Sequence, residues 1–257
     1  MDINLDLFNE TISGLESGQL RVAQKKDGKW VVNTEIKQII LAGFKLGKIE
    51  NMSQGQFPFF DKDTFPVRKF DEANGVRIVP GGSSIRRGAY LASSVIVMPP
   101  SYVNVGAFVD EGTMIDSHVT IGSCAQIGKN IHISAATQIG GVLEPAGALP
   151  TIIEDGACIG GNCGIYEGTL IKEKAVIGSG VIITSSTALY DATKGCFVEK
   201  GENGRVVVPR GAVVVCGSRP INKGAAAGSG MHLYCPIIIK YRDEKTSNSV
   251  NLEELLR

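Results

Sequence analysis

The chain has 257 residues, enough to bury a large core in one long domain or in a domain with a smaller appendage. Its 26 lysines and arginines balance 26 aspartates and glutamates, so no net field favours nucleic acid or an anionic membrane. The 32 glycines and the 6% aromatic content are typical of a turn-rich β protein filled by Ile, Val and Ala. We therefore expect a small molecule or another protein as partner, and no nucleic acid.

The cysteines and the first residues predict a reduced, cytoplasmic protein. The six cysteines form no CxxC pair and no compact disulfide framework, so we interpret them as packed thiols. The opening "MDINLDLFNE" is acidic where a secretory signal would be basic. No uncharged apolar run reaches the roughly 18 residues that a membrane span needs, and we expect no membrane partner.

Residues 1–76 are predicted to form a small, mostly helical domain that contains one hairpin. Leu5, Phe8, Ile12 and Leu15 recur at helical spacing, and Asp27-Gly28 is a hairpin turn signal. A second helix is expected after Asn33 or Thr34, with Ile36, Ile39, Ile40 and Phe44 on one face and Gly47 as its end. Residues 48–76 have no sustained period and are interpreted as a connecting segment.

From Val79 onward an aliphatic residue recurs at every sixth position, a period that neither a helix nor a single strand has. The first run is Val79, Ile85, Leu91, Val97, Val103, Val109, Ile115, Ile121, Ile127, Ile133 and Ile139. The second run is Ile153, Ile159, Ile165, Ile171, Ile177, Ile183 and Leu189, followed later by Val208 and Val214. The fourth residue after most of these is small or β-branched, as at Ala89, Thr113 and Ala125.

This period predicts a mainly β protein in which residues 77–222 form a parallel β-helix, a triangular prism with three hexads per coil. Similarity to hexapeptide-repeat proteins implies that the helix is left-handed. Inward isoleucines about 18 residues apart should stack at the spacing of neighbouring strands, roughly 4.8 Å. The "IG" pairs, with Asn130 and Asn162, are expected to supply the positive-φ corners.

The breaks in the period predict features that lie outside the prism. A coil cannot absorb extra residues internally, so residues 140–152 and 191–205 should protrude as loops. Residues 223–257 are expected to form a short cap made of a strand, a charged turn and a helix. Because such a prism has no deep pocket of its own, we expect sites between the chains of a homotrimer.

Asp116 is the residue whose position most suggests chemistry. It follows an inward isoleucine directly, where most hexads carry glycine or another small residue. On spacing alone it is equally well a corner carboxylate that accepts backbone N–H bonds. His118, His132 and His232 are separated by 14 and 100 residues, which does not resemble a three-histidine zinc site, so no metal is expected.

Several strings resemble the tetrahydrodipicolinate N-succinyltransferase family of bacterial lysine and diaminopimelate biosynthesis. They include "SYVNVGAFVDEGTMIDSHVTIGSCAQIGKNIHIS", "IGGVLEP", "PTIIEDG" and "YEGTLI", and the similarity runs from about Leu20 to the C-terminus. The resemblance implies transfer of a succinyl group from succinyl-CoA to the amino group of the opened acceptor. It implies no tightly bound cofactor, a homotrimer, and acceptor and CoA meeting between adjacent prisms.

The resemblance also assigns site residues. Asp116 in "GTMID" matches an aspartate for catalysis and substrate contact, and Arg77 in "GVRIVP" matches a substrate-binding arginine. Gly164 stands where many relatives have a catalytic glutamate, so Glu167 is the substitute, with a solvated corner residue as its alternative interpretation. Apart from the resemblance, Arg219, Lys223, Lys240 and Arg242 form a basic set near the chain end, and we expect Arg219 and Lys240 to bind the CoA phosphates.

Two alternatives remain open at this point. Gly164 would be compatible with an enzyme that keeps the fold and CoA but uses acetyl-CoA, or that acylates a related amino dicarboxylate. A non-catalytic β-helix, such as an assembly subunit or an ice-binding prism, is the other class. Ice binding needs flat threonine ladders, whereas the outward positions here are mixed and charged.

Overall fold

The computed structural model describes residues 3–242. The N-terminal part has the two helices and the hairpin that the sequence predicts. Its elements are α1 (Leu5–Glu16), β1 (Ala23–Lys26), β2 (Lys29–Val32), α2 (Thr34–Leu46), β3 (Ile49–Asn51) and β4 (Phe60–Lys62). Asn4 and Asn33 cap the two helices, because each side-chain oxygen accepts an N–H bond from the first turn.

The prism is built from short strands of mostly two residues. Its first run is β5 (Arg77–Ile78), β6 (Ser84–Ile85), β7 (Tyr90–Leu91), β8 (Ile96–Val97), β9 (Tyr102–Val103), β10 (Phe108–Val109), β11 (Met114–Ile115), β12 (Thr120–Ile121), β13 (Gln126–Ile127), β14 (His132–Ile133) and β15 (Gln138–Ile139). The second run is β16 (Ile152–Ile153), β17 (Cys158–Ile159), β18 (Gly164–Ile165), β19 (Leu170–Ile171), β20 (Val176–Ile177) and β21 (Ile182–Ile183). The last strands are β22 (Tyr190–Asp191), β23 (Cys196–Phe197), β24 (Val207–Val208), β25 (Ala212–Val215), β26 (Ser218–Pro220), β27 (His232–Tyr234) and β28 (Ile237–Tyr241).

Parallel pairing arranges these strands into the three faces of a left-handed parallel β-helix, which confirms the predicted fold class. Face A contains β7, β10, β13, β16, β19 and β24 in that order. Face B contains β5, β8, β11, β14, β17, β20 and β25, and face C contains β6, β9, β12, β15, β18 and β21. From β7 to β15 the register advances by 18 residues per coil, so Ile115 pairs with Ile133 and Ile121 with Ile139.

The inward residues form continuous ladders, as the period predicts. Ile115, Ile121, Ile127 and Ile133 are all fully buried, and each buried isoleucine contributes about 1.5–3 kcal/mol relative to an exposed one. The predicted small inward positions are buried as well, among them Ala89, Thr113, Ala125 and Thr169. One large and one small residue per hexad therefore fill the prism without a central channel.

The prediction that the "IG" glycines supply positive φ is wrong. The left-handed residue lies three positions after the inward residue, as at Gly106, Gly112, His118 and Asn130. The glycines directly after isoleucine are needed because the next coil passes close by. A Cβ at Gly122 would collide with the backbone N of Gly141 and lie 2.6 Å from the carbonyl carbon of Gly140.

The ladder departs from the predicted frame at both ends. Ile78, rather than Val79, pairs with Val97, because one extra residue is accommodated before β6, where Gly81 and Gly82 both have positive φ. After Ile183 the chain leaves the prism, and Val208 rather than Leu189 pairs with Ile171. Leu189 is still buried in the core, but on no ladder strand.

The N-terminal domain packs on the corner between faces C and A. Phe8, Ile12 and Ile40 share a buried cluster with Val105 and Cys124, which lie at prism corners. The guanidinium of Arg21 lies 3.6 Å from the ring centroid of Phe108 on face A. The connecting segment predicted at 48–76 is not wholly irregular, because β3 and β4 pair as an antiparallel hairpin that the sequence period did not indicate.

The two breaks in the period lie outside the ladders. Residues 140–151 lie between β15 and β16, whereas Ile152, the last residue of the predicted loop, already belongs to β16 on face A. Residues 191–205 include the antiparallel strand β23 and a short 3-10 turn at Glu202–Gly204, and most of them are exposed. At the end of the prism β28 pairs with both β25 and β22. The cap helix expected near the C-terminus lies outside the described residues.

Candidate active site

Asp116 lies at the corner between faces B and C, directly after β11. Its backbone N–H continues the ladder by donating to the carbonyl of Ile133 at 3.0 Å. Its Oδ1 accepts the backbone N–H of Ser117 at 2.7 Å, so the carboxylate has a fixed orientation. The side chain keeps 33% of its surface exposed, which leaves Oδ2 accessible to a ligand.

His132 lies beside Asp116 on the next coil. Met114 pairs with His132, which puts the imidazole on the outer side of face B. Its Nε2 is 4.0 Å from Oδ2 of Asp116, and the side chain is only 15% exposed. The histidine spacing argued against a zinc site and assigned no other role to His132. The 18-residue coil length was the signal that could have paired it with Asp116.

Arg77 is also on face B, two strands away from β11. The strand order β5, β8, β11 puts roughly 10 Å between the levels of Arg77 and Met114. Arg77 is exposed, and its side chain is free to reach a ligand on this face. Asp116, His132 and Arg77 therefore lie on one side of the prism. A molecule that carries both a carboxylate and an amino group could contact the Arg77 guanidinium and the Asp116 carboxylate there.

Glu167 lies elsewhere in the same chain, at the corner between faces C and A. Its backbone has φ +51, and its carboxylate accepts hydrogen bonds from both the N–H and the hydroxyl of Ser185. The hydroxyl bond and the N–H bond together lower the pKa of Glu167. The full width of face C separates Glu167 from Asp116, so a single chain does not bring the two predicted catalytic carboxylates together.

The space beside Gly164 is filled by an aromatic ring. A Cβ on Gly164 would collide with Cε2 of Tyr166 and lie 2.9 Å from its Cζ. A glutamate at this position would therefore have to displace the Tyr166 ring.

Arg219 and Lys240 both lie at the C-terminal end of the prism. Arg219 is on β26, whose hairpin with β27 extends beyond the ladders, and Lys240 is on β28 opposite Val213. The Nε of Arg219 is buried without a hydrogen-bond partner among residues 3–242. Burial raises the pKa of the nearby Cys235 thiol, and the Arg219 charge opposes that shift.

The remaining candidate features are metal-binding clusters, reactive thiols and membrane-spanning helices. Within the described range, no cluster of three or more His, Cys, Asp or Glu side chains could hold a metal ion. Burial raises the pKa of Cys124 to about 12, so this thiol stays protonated and behaves as core packing. No helix in the described part of the chain is long and apolar enough to cross a membrane.

Two family models match the chain. The model described as tetrahydrodipicolinate N-succinyltransferase N-terminal matches residues 3–46, which include both helices and the first hairpin. The model described as hexapeptide repeat of succinyl-transferase matches residues 150–185, which span β16 to β21. The two models thus match both parts of the molecule.

Relatives that match nearly the whole chain give the same family. A 2,3,4,5-tetrahydropyridine-2,6-dicarboxylate N-succinyltransferase of Acinetobacter baylyi is 47% identical over 253 residues, 96% of this chain and 88% of that protein. The enzyme of the same name from Sodalis glossinidius is 44% identical over 256 residues, 98% of this chain and 89% of that protein. A Campylobacter jejuni crystal structure, provisionally described as a 2,3,4,5-tetrahydropyridine-2-carboxylate N-succinyltransferase, aligns with a TM-score of 0.47 and 16% identity, covering 97% of this chain and 65% of that chain. Identity above 40% along most of both sequences shows that this protein belongs to the 2,3,4,5-tetrahydropyridine-2,6-dicarboxylate N-succinyltransferase family.

Proposed function

We propose that the protein transfers the succinyl group of succinyl-CoA to the amino group of the opened form of tetrahydrodipicolinate, releasing CoA, in lysine and diaminopimelate biosynthesis. The observation that carries the proposal is the 44–47% identity, over nearly the full chain, to relatives named for this reaction. Succinyl-CoA is a co-substrate in this scheme, and no tightly bound cofactor takes part. The cytoplasm is the proposed location.

Asp116 is the proposed proton acceptor. An ammonium group is not nucleophilic, so a carboxylate that orients the amine and accepts its proton promotes attack on the thioester carbonyl. The C–N bond forms, the C–S bond breaks, and the CoA thiolate takes up a proton as it leaves. The Ser117 N–H bond holds Oδ1, and Nε2 of His132 lies 4.0 Å from Oδ2.

Arg77 is the proposed anchor for a carboxylate of the acceptor. A guanidinium binds a carboxylate through two parallel N–H bonds, which fixes orientation as well as position. With Arg77 and Asp116 on one side of the prism, the acceptor would extend along face B. Arg219 and Lys240 at the far end of the prism are proposed to bind the CoA phosphates.

A homotrimer with sites between adjacent prisms completes the proposal. Glu167 is at a different corner from Asp116, so it can join the site only from a neighbouring chain. A carboxylate whose pKa is lowered by Ser185 is a weak base, and Glu167 is better suited to bind a cationic or hydrogen-bonding group than to take a proton.

The test is a donor-specificity assay with a matched pair of variants. Purified protein is incubated with tetrahydrodipicolinate and either succinyl-CoA or acetyl-CoA, and thiol release is followed. We expect turnover with succinyl-CoA, and a loss of at least about 100-fold in kcat/KM for Asp116→Asn, the range that removal of a general base produces.

Asp110→Asn is the control, because Asp110 follows the inward Val109 as Asp116 follows Ile115. Its Oδ1 also accepts the next backbone N–H, from Glu111 at 2.9 Å. This variant should keep its kcat/KM within about twofold, since surface substitutions are usually mild. Turnover with acetyl-CoA alone, or equal activity of Asp116→Asn and the unsubstituted protein, would contradict the proposal.

A further inference from the structure

Arg205 is a buried cation, and two of its guanidinium nitrogens have no hydrogen-bond partner among the described residues. Its side chain is only 8% exposed, and Nε and Nη2 lack hydrogen-bond partners among residues 3–242. Burial is the largest influence on this residue and lowers its pKa to about 10, so the guanidinium remains charged at neutral pH. A buried charged group with unsatisfied N–H donors is unfavourable, and a bound water, ion or ligand is one way in which native proteins satisfy such donors.

The guanidinium lines a cavity between the N-terminal hairpin and face A. The cavity has a volume of about 310 Å³ and is lined by Lys25, Trp30, Glu154, Lys172 and Arg205, among others. Arg205 also borders a neighbouring cavity of about 370 Å³, between the loop of residues 140–152 and the Glu202–Gly204 turn. Space for a small molecule is therefore present in two cavities that Arg205 lines.

The ion pairs within the first cavity leave positive charge unpaired. Lys25 pairs with Glu154 at 2.8 Å, and Lys29 pairs with Glu202 at 2.9 Å. Trp30 Nε1 donates to the same Glu154 oxygen at 2.7 Å, so this oxygen already accepts two hydrogen bonds. In the part of the chain that the structure describes, Arg205 and Lys172 are the cavity cations without an ion pair.

We propose that Arg205 is the centre of a second small-molecule site, which binds an oxyanion, a carboxylate or a phosphate group, between the N-terminal hairpin and the prism. The two parallel N–H bonds of a guanidinium match the oxygens of either group. Within one chain this site lies away from Asp116, although Glu167, proposed above to join the transferase site from a neighbouring chain, lines the second cavity beside Arg205. The cavity walls include Trp30 of β2, Glu154 just after β16, and Arg205 before β24. An anion bound there would therefore join the N-terminal domain to the loop of residues 191–205.

Trp30 makes the site directly observable, because it is the chain's single tryptophan and lines this cavity. The full-length protein is titrated with sodium succinate and, separately, with sodium phosphate, each against sodium chloride at matched ionic strength. We expect a saturable change in Trp30 fluorescence with at least one oxyanion and none with chloride. Succinate alone would identify a carboxylate ligand, and phosphate alone a phosphoryl ligand.

The variants test whether Arg205 is responsible. Arg205→Gln should raise the apparent Kd at least tenfold, whereas Arg210→Gln, an exposed arginine five residues later, should leave it unchanged. If Arg205→Gln does not fold, Arg205→Lys replaces it and should weaken binding severalfold, because a lysine lacks the paired donors. The absence of a saturable signal with both oxyanions, or the same Kd after substitution of Arg205, would overturn the proposal.

Discussion

At the scale of the residue, glycine has two different tasks in this prism. Gly106 and Gly112 have positive φ, which is costly for most other residues. Gly122 has an ordinary φ, but the start of the loop at residues 140–152 passes directly over its α-carbon. Both kinds look the same in the sequence, because both fall at corners of the hexad.

The close approach of the backbone at Gly122 predicts that one added methyl group lowers the stability of the fold. Gly122→Ala would press a Cβ against the backbone of Gly140 and Gly141, which cannot rotate away as a side chain can. We expect a loss of about 3 kcal/mol in the free energy of unfolding, the upper range for overpacking. Urea unfolding at one fixed protein concentration measures it.

Gly147→Ala is the matched control for that substitution. Gly147 also has no positive φ, and a Cβ there would meet no atom within 4 Å. Its alanine variant should be neutral or more stable by up to about 1 kcal/mol, since alanine reduces the entropy of the unfolded chain. Equal stability of the two variants would mean that close approach at Gly122 is not the constraint.

At the scale of the element, a buried carboxylate joins two strands, β22 and β28, at the end of the prism. Asp191 on β22 is 1% exposed, and its oxygens accept hydrogen bonds from Thr193 and from the Tyr241 hydroxyl of β28, the latter at 2.7 Å. Lys194 lies 3.2 Å away. Burial alone would raise the pKa of Asp191, but these bonds together hold it at about 2.

This depressed pKa predicts a pH-dependent stability. The ionised carboxylate stabilises the fold above the ordinary aspartate pKa of about 3.9, and the contribution is lost as the pH falls from about 4 to 2. Asp191→Asn should therefore lower the free energy of unfolding by about 2 kcal/mol at pH 7. The difference from the unsubstituted protein should shrink when both are measured at pH 4 and then at pH 2.5.

The exposed turn residue Asp27 offers a comparison, because Asn-Gly suits the same hairpin turn as Asp-Gly. Asp27→Asn should change the stability by less than about 0.5 kcal/mol at each pH. A stability deficit of Asp191→Asn that stays constant from pH 7 to pH 2.5 would show that the charge of Asp191 is not what joins β22 to β28.

At the scale of the whole molecule, periodicity predicts the interior better than the surface. The six-residue repeat correctly identified the inward isoleucines, because each coil must bury the same positions. It failed at Val79, where an extra residue near two glycines makes Ile78 the paired residue. It also failed at Leu189, because Val208 of a later strand pairs with Ile171 instead. Arg205 was missed because it belongs to an aperiodic loop, and its burial depends on a hairpin about 175 residues earlier in the sequence.

Because Asp116 and Glu167 lie at different corners of the prism, complementation between two variants can test the proposed trimer. If each site takes Asp116 from one chain and Glu167 from its neighbour, Asp116→Asn and Glu167→Gln proteins are each inactive but complement each other. Chains mixed in equal amounts and refolded together should form hybrid trimers in which about one site in four has both carboxylates. Thiol release from succinyl-CoA should then recover to about a quarter of the unsubstituted activity.

The separately refolded parents, combined only afterwards, serve as the control and should stay inactive. Recovery in that control, or no recovery in the hybrids, would contradict a site shared between chains.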